Sequence, residues 1–134
     1  MGTAGEKRTF MQIKGAVEFE ISEVTPDRVA AEMPIRPEML NPYGVVNAGA
    51  ILWLADVTAS ILIMGEVEPT EGMKGFPLAI NLNAHFLGNQ RKGTFKSVAT
   101  MVKRGKTLSV VRTTVTGAEG KLIAEVTTSH LAAR

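Results

Sequence analysis

The stretch VNAGAILWLADVTASILIMG, residues 46–65, decides the fold of this 134-residue chain. Almost every side chain in residues 51–64 is apolar, which predicts a helix buried on nearly all sides. Asn47 is a favourable N-cap residue, and Gly65 is placed to end the helix. The one charged residue of the run, Asp56, lies in its middle. A carboxylate in an apolar segment must be paired, neutralised or used, so Asp56 is the first candidate functional residue.

Strand patterns flank this helix on both sides. Two strands joined by a Thr-Pro-Asp-Arg turn precede it, over residues 16–24 and 28–35. Four more follow, separated by short glycine-containing turns typical of hairpins, over residues 76–87, 93–104, 106–117 and 121–131. The pattern predicts an α+β fold in which an antiparallel six-stranded sheet wraps around one long central helix. Residues 1–12 are expected to form an N-terminal arm, and residues 13–134 a single domain.

Composition argues against several classes of protein. The chain has no cysteine and two histidines, so disulfide scaffolds, thiolate metal sites and multi-histidine metal centres are not expected. We therefore expect neither a metal nor a separate cofactor. The apolar run is shorter than the about 20 residues that span a bilayer, and the N-terminal residues lack the apolar core of a secretory signal. We accordingly expect a cytoplasmic protein with no membrane partner.

The charge is unevenly distributed along the chain. Residues 72–118 contain eight Lys and Arg side chains and no Asp or Glu, although the net charge of the whole chain is only +2. Such segregation indicates a surface for an anionic partner. The alternative is a solvated sheet edge on which lysines prevent aggregation. Nucleic acid is not the expected partner, because stacking aromatic residues are not interleaved with the basic ones.

Asp56 shares one helical face with mostly apolar residues, at about 100° per residue: Gly49, Leu52, Trp53, Ser60 and Ile63. In the structural interpretation, Asp56 is a cap or bridges to a neighbouring Arg. In the functional interpretation, its apolar surroundings raise its pKa, and it acts as a base or nucleophile. Hydrolysis of a thioester fits a carboxylate without metal or cysteine, because a thiol of pKa about 8.5 leaves readily. The developing oxyanion must still be stabilised.

The start of the same helix offers free backbone N–H groups, at Ala48 and Gly49, for that oxyanion. Ala48 and Asp56 are however about 12 Å apart along the helix axis, at 1.5 Å per residue. One carbonyl cannot contact both within a single chain, because reacting groups must approach to about 3 Å. Two antiparallel copies of the helix across a two-fold axis solve this problem and give two equivalent sites. The sequence therefore predicts a homodimer.

These residues together resemble the hotdog-fold acyl-CoA thioesterases, and within them the phenylacetate-pathway (PaaI-like) group. That family has an Asn in a loop, a His-Gly-Gly at the helix start, and an Asp followed by a small hydroxyl residue. The matching positions here are Asn41, the Asn47-Ala48-Gly49 triplet, Asp56 and Ser60. The strand and turn pattern NLNAHFLGNQRKGTFKSVATMVKRGKT, residues 81–107, and the final EGKLIAEVTTSHL, residues 119–131, also resemble the family. The resemblance covers nearly the whole chain, from about residue 16 to residue 130.

The resemblance implies roles for these residues. Asp56 would be the base or nucleophile, and the Ala48 N–H would polarise the thioester carbonyl. Asn41 and Ser60 would position the attacking water or the acyl oxygen, and Trp53 would line the acyl pocket unless it only packs in the core. The family's homodimer, or a homotetramer built as a dimer of dimers, would bind the CoA phosphates near the dimer rim. The candidates there are Arg91, Lys92, Lys103, Arg104 and Lys106.

The helix start departs from the family pattern at two positions. Asn47 replaces the histidine, and Ala48 replaces the first glycine. An alanine keeps the backbone N–H but adds a methyl group where the carbonyl must approach. Asn47 can cap the helix or donate a hydrogen bond, but it cannot carry a proton at neutral pH as histidine can. A plain helix cap is therefore the alternative interpretation of Asn47, and reduced turnover or a shifted substrate is compatible with both changes.

The sequence predicts an acyl-CoA thioesterase that releases a free acid and CoA, with CoA as part of the substrate and not a cofactor. One alternative is a non-catalytic acyl-CoA-binding protein, which the absence of the histidine favours and the presence of Asp56 disfavours. Another is a hydratase or dehydratase of the same fold, which would need a histidine paired with an acid. The helix start lacks that histidine.

Overall fold

The computed structural model describes residues 9–65, 70–72 and 77–131. Within them one antiparallel sheet of seven strands packs against one long helix. The elements are β1 (Met11–Ile13), β2 (Phe19–Val24), β3 (Arg28–Pro34), α1 (Ala48–Met64), β4 (Leu78–Phe86), β5 (Thr94–Arg104), β6 (Leu108–Thr116) and β7 (Leu122–Leu131). The strand order across the sheet is β1-β2-β3-β5-β6-β7-β4. The predicted α+β fold with a central helix is confirmed.

Both predicted ends of α1 are confirmed. The Asn47 side chain accepts a hydrogen bond from the Ala50 N–H at 2.8 Å, which satisfies one of the unpaired donors of the first turn. At the other end Gly65 has φ = 82°, in the left-handed region that glycine adopts without strain, and its N–H donates to the Ile61 carbonyl. The helix therefore spans 17 residues, about 25 Å at 1.5 Å per residue.

The core lies between α1 and the concave face of the sheet. The helix packs mainly against β3, β5 and β6, and small residues on its buried side allow the strands to approach closely. The strands alternate as predicted, with every second side chain directed toward the helix. Large fully buried side chains from both layers form the core, among them Phe19, Ile21, Met33, Leu54, Ile61, Phe95 and Ile123.

The helix connects β3, in the middle of the sheet, to β4 at its edge. Among the described residues β4 pairs only with β7. The predicted alternation of β4 is present, because Leu82 lies opposite the buried Thr128 while Asn83 lies opposite the exposed Thr127. Its side chains are nevertheless nearly all exposed, so this strand carries apolar residues that no part of the described chain covers.

The sheet has seven strands and not the predicted six. The additional strand β1 pairs with β2 through Met11↔Ile21, and it includes the last residues that the sequence assigned to an N-terminal arm. A three-residue strand is too short to produce a recognisable alternation, which explains why the sequence did not indicate it. Residues 1–8 of the expected arm and residues 132–134 of the expected domain lie outside the described residues. No helix in the described ranges is long and apolar enough to cross a membrane.

Candidate active site

The loop that leads into α1 is held in place by two asparagine side chains. Asn41 Oδ1 accepts hydrogen bonds from the N–H groups of Tyr43 and Val45, at 2.9 and 3.3 Å. The Asn47 side chain also donates to the Met39 carbonyl at 2.9 Å, in addition to capping the helix. Both polar atoms of the Asn47 side chain are therefore used within the chain. The structure supports the cap interpretation of Asn47 and assigns Asn41 Oδ1 to shaping the loop.

A second loop, between β4 and β5, is fastened to this helix start. Asn89 accepts a hydrogen bond from the Val46 N–H at 3.2 Å and donates to the Val46 carbonyl at 2.9 Å. Lys121 in turn donates to the Asn89 carbonyl at 2.9 Å. The guanidinium of Arg91, in the same loop, passes about 3.9 Å from where a Cβ on Gly44 would lie. One predicted cation is thus held beside the loop that precedes α1.

The other predicted basic residues do not all lie in one place. Arg91 and the exposed Lys92 precede β5, whereas Lys103 and Arg104 end it, about 33 Å away at 3.3 Å per residue. Arg104 donates to the Pro26 carbonyl at 3.1 Å, and the exposed Lys106 lies in the following turn. A single chain therefore presents two separate basic groups at opposite ends of the sheet.

The first residues of α1 are open to a ligand. Ala48 and Gly49 are both exposed, and their N–H groups have no hydrogen-bond partner among the described residues. A Cβ on Gly49 would lie 3.2 Å from Asn47 Oδ1, so glycine gives the capping side chain its space. The positive end of the helix dipole lies behind these N–H groups. This arrangement is suited to an oxyanion, as the sequence predicts.

The side chain of Asp56, in the middle of α1, is half-buried. Its Oδ1 atom is buried and has no hydrogen-bond partner among the described residues. Burial raises the pKa of Asp56 above the ordinary value of a carboxyl group, and the nearby His130 opposes part of that rise. In the structural interpretation, Asp56 would bridge to an arginine. The arginine ion pairs among the described residues do not include Asp56, and they join Arg28 to Glu23 and Arg36 to Glu18.

We expect Asp56→Asn to raise the thermal midpoint of unfolding by a few degrees near neutral pH. The pKa of Asp56 is higher in the folded chain than in the unfolded one. Ionisation of Asp56 therefore lowers the free energy of unfolding as the pH rises from the pKa of the unfolded chain through that of the folded chain. Asparagine removes that cost without a large change of shape. Thermal scans at about pH 5 and about pH 8 would check this, with the gain larger at the higher pH. An equal gain at both pH values would contradict it.

Apolar side chains surround Asp56 on the open side of the helix. Leu52 is partly exposed, and Trp53 is 45% exposed while its ring packs edge-on against Phe19 at 6.4 Å. Ser60, predicted on the same face, is instead 4% exposed and lies inside. Two surface pockets, of about 310 and 330 Å³, lie beside β1 and beside the end of α1, and Asp56 lines neither.

The sequence analysis did not single out His130, which interacts electrostatically with Asp56. His130 is 1% exposed and lies on the helix-facing side of β7. Its Nε2 lies 2.8 Å from the hydroxyl of Thr128, two residues earlier on the same face. The alternation of β7 was the available signal, because it directs Thr128 and His130 inward, where apolar residues are expected.

Comparison with known proteins places this geometry in a family. The family model of the thioesterase superfamily matches residues 43–124, which include the helix start, Asp56 and most of the sheet. The chain belongs to the thioesterase superfamily. Within that superfamily it has the hotdog fold and is a hydrolase of the thioesterase type.

Three relatives illustrate the relationship. ComA2 of Bacillus subtilis, described as a candidate esterase, is 28% identical over 87% of this chain and 88% of its own. The 1,4-dihydroxy-2-naphthoyl-CoA hydrolase of Listeria monocytogenes is 24% identical over 84% of this chain and 89% of its own. The crystal structure of the thioesterase HI1161 from Haemophilus influenzae superposes with a TM-score of 0.75 at 25% identity, covering 85% of this chain and 77% of that one. The superfamily member described here is thus similar to its relatives along most of their length.

Proposed function

We propose that this thioesterase-superfamily protein hydrolyses an acyl-CoA to a free acid and CoA at a site shared by two copies of the chain. The observation that carries the proposal is Asp56: a carboxylate of raised pKa whose buried Oδ1 has no hydrogen-bond partner in the described chain. The Listeria relative supports the substrate class, because its name specifies a CoA thioester. The PaaI-like subgroup and a cytoplasmic location remain predictions.

In the proposed reaction the thioester carbonyl accepts hydrogen bonds from the N–H groups at the helix start of one subunit. Asp56 of the other subunit either removes a proton from the attacking water or attacks the carbonyl itself. In the first case the tetrahedral intermediate expels CoA thiolate, which takes up the proton. In the second case an Asp56 acyl anhydride forms as the thiolate leaves, and water then hydrolyses it to the acid and the carboxylate.

Asn41 and Ser60 have smaller roles in this proposal than the sequence predicts. Asn41 Oδ1 is used within its loop, so only its Nδ2 is available to a substrate or water. Ser60 is buried, so its hydroxyl lies below the surface on which Asp56 is partly exposed. Trp53 is exposed beside Asp56, and this exposure supports a place for it in the acyl pocket.

The exposed strand β4 supports the shared site. A long edge strand with unpaired backbone groups and exposed apolar side chains is a pairing surface unless something covers it. Leu82 and Phe86 lie on the helix side of this strand and are 39% and 46% exposed. Pairing with a second β4 across a two-fold axis would cover them and set two α1 helices antiparallel.

We expect Leu82→Asp to convert a dimer into monomers and to abolish most of the thioester hydrolysis. The aspartate would place a charge in the apolar interface, at a cost of several kcal/mol per dimer because the site is two-fold symmetric. Asn83→Asp is the matched control, because it adds the same charge to the outer face of the same strand. Light scattering would give the oligomeric state of both variants, and a thiol-release assay would give their activity. A monomeric and fully active Leu82→Asp protein would refute the shared site.

Release of free thiol from a panel of aromatic and aliphatic acyl-CoAs tests the proposed activity. Hydrolysis of at least one member at a rate that depends on Asp56 would support it. Binding of acyl-CoA without thiol release would show the non-catalytic alternative.

The hydratase alternative gains one observation, since His130 lies near Asp56. His130 is buried, however, so its ring cannot reach the α or β carbon of a bound acyl chain. Loss of an enoyl-CoA double bond without thiol release would favour that reaction over hydrolysis.

A further inference from the structure

His130 is the one fully buried titratable side chain among the described residues. The buried polar residues of the neighbouring strands carry only hydroxyl groups: Ser97, Ser109, Thr113 and Thr128. The half-buried acids Glu32 and Glu125 lie opposite Lys96 and Thr114 in the sheet, on its outer face. Among the described residues, His130 is the group whose charge affects the pKa of Asp56.

Asp56 and His130 interact electrostatically, and each has one buried polar atom without a hydrogen-bond partner among the described residues: Asp56 Oδ1 and His130 Nδ1. Buried polar atoms in folded proteins are almost always hydrogen-bonded, so an unpaired one requires an explanation. Two residues that interact electrostatically and each contain such an atom are more informative than one. The pair points to a functional arrangement and not to ordinary core packing.

The contact with Thr128 limits how the imidazole of His130 can be protonated. Its Nε2 lies 2.8 Å from the Thr128 hydroxyl, which can donate or accept. When the hydroxyl donates to Nε2, the ring proton of neutral His130 is on Nδ1. An Nδ1–H stabilises an ionised carboxylate nearby, whereas an Nδ1 lone pair would repel it. With Asp56 ionised, the favourable arrangement therefore has Thr128 donating and Nδ1 protonated.

We propose that His130, held by Thr128, is a positioning residue that keeps Asp56 ionised and oriented for reaction. This inference rests on the proposed function, because it assigns His130 a role in the same hydrolysis. Among apolar neighbours alone, the Asp56 carboxyl group would favour its neutral form. A buried imidazole N–H favours the ionised form and does not itself bind the substrate. The burial of His130 also lowers its own pKa, which favours its neutral form near pH 7.

The first test is the pH dependence of kcat/KM for an acyl-CoA that the wild-type protein hydrolyses. We expect His130→Leu to move the acid limb of the profile to higher pH, so that the loss is several-fold larger at about pH 6 than at about pH 8. Thr128→Val should shift the limb in the same direction by less. His130→Asn should restore much of the profile, because its amide nitrogen lies where Nδ1 was.

Thr113→Val is the matched control, since Thr113 is also fully buried on the inner face of the sheet with an unpaired hydroxyl oxygen. It should leave the shape of the pH profile unchanged. If His130→Leu does not fold, the pH profiles of His130→Asn and Thr128→Val are compared with that of the wild-type protein instead. A pH profile of unchanged shape in the folded His130 and Thr128 variants would overturn the proposal.

The second test does not depend on activity. The chain has two histidines, so a nuclear magnetic resonance titration resolves both, and His85→Gln assigns them. His85 is exposed on the outer face of β4, away from the site. We expect Asp56→Asn to lower the apparent pKa of His130, because the carboxylate raises it. An unchanged His130 titration would overturn the proposal even in an active enzyme. A wild-type protein that hydrolyses no acyl-CoA would instead overturn the proposed function.

Discussion

Asp56→Asn is expected to lower kcat/KM for acyl-CoA hydrolysis by about 10²–10⁴-fold while the protein stays folded. Asparagine has nearly the shape of aspartate but cannot accept a proton from water or attack a thioester. The carboxylate has no hydrogen-bond partner at Oδ1 that its removal would leave unpaired, so little structural disturbance should accompany the loss. Steady-state thiol release with a saturating and a limiting acyl-CoA would separate the effects on kcat and KM.

The matched control for this prediction is a substitution on the same helix face that leaves the carboxylate in place. Leu52→Met preserves volume at a partly exposed apolar position, and we expect it to change the rate less than about threefold. Asp56→Ala should resemble Asp56→Asn in activity. Wild-type rates in both Asp56 variants would show that the reaction, if present, uses another group.

Ala48→Pro is expected to lower kcat by about 10²–10³-fold, because it removes one oxyanion donor. Proline is well tolerated at the first position of a helix, where the N–H has no intrahelical partner. Asn47 already has φ = −68° and ψ = 150°, the extended conformation that a following proline requires. The substitution therefore removes the donor and leaves the helix intact. Gly49→Ala, which keeps its N–H, is the control for a change of shape at the helix start.

Mixing the two inactive variants provides the decisive measurement. In a mixed dimer of Asp56→Asn and Ala48→Pro subunits, one site combines the intact Asp56 of one subunit with the intact Ala48 of the other. Random reassociation should recover about a quarter of the wild-type activity, since half of the dimers are mixed and each has one intact site of two. If both groups acted within one chain, mixing would recover nothing. That outcome would refute the shared site while leaving the thioesterase assignment in place.

The local parts of the fold could be predicted from the sequence because their signals are local. The apolar run lies between Asn47 and Gly65, and both residues act as helix ends in the structure. Alternation likewise indicated six of the strands. The position of β4 at the edge could not be predicted, since strand order depends on contacts between distant parts of the chain. A strand that alternates gives the same pattern whether its apolar face meets its own core or a second subunit.

The candidate site was predictable in part for the same reason. Asp56 and the helix start belong to one segment, and their spacing follows from helix geometry. Ser60 was placed on the face of Asp56 by an ideal helical angle, but it is buried in the structure. His130 lies 74 positions after Asp56, so only the tertiary structure brings the two together. The basic residues are close in sequence, yet an extended strand separates them into two groups.

The pairing of β4 with β7 alone has a consequence for biosynthesis. Residues 78–86 leave the ribosome well before residues 122–131, yet they have no strand to hydrogen-bond with until the latter emerge. A nascent chain can form β1, β2, β3 and the helix earlier, but its outermost strand is added only when translation reaches the end of β7.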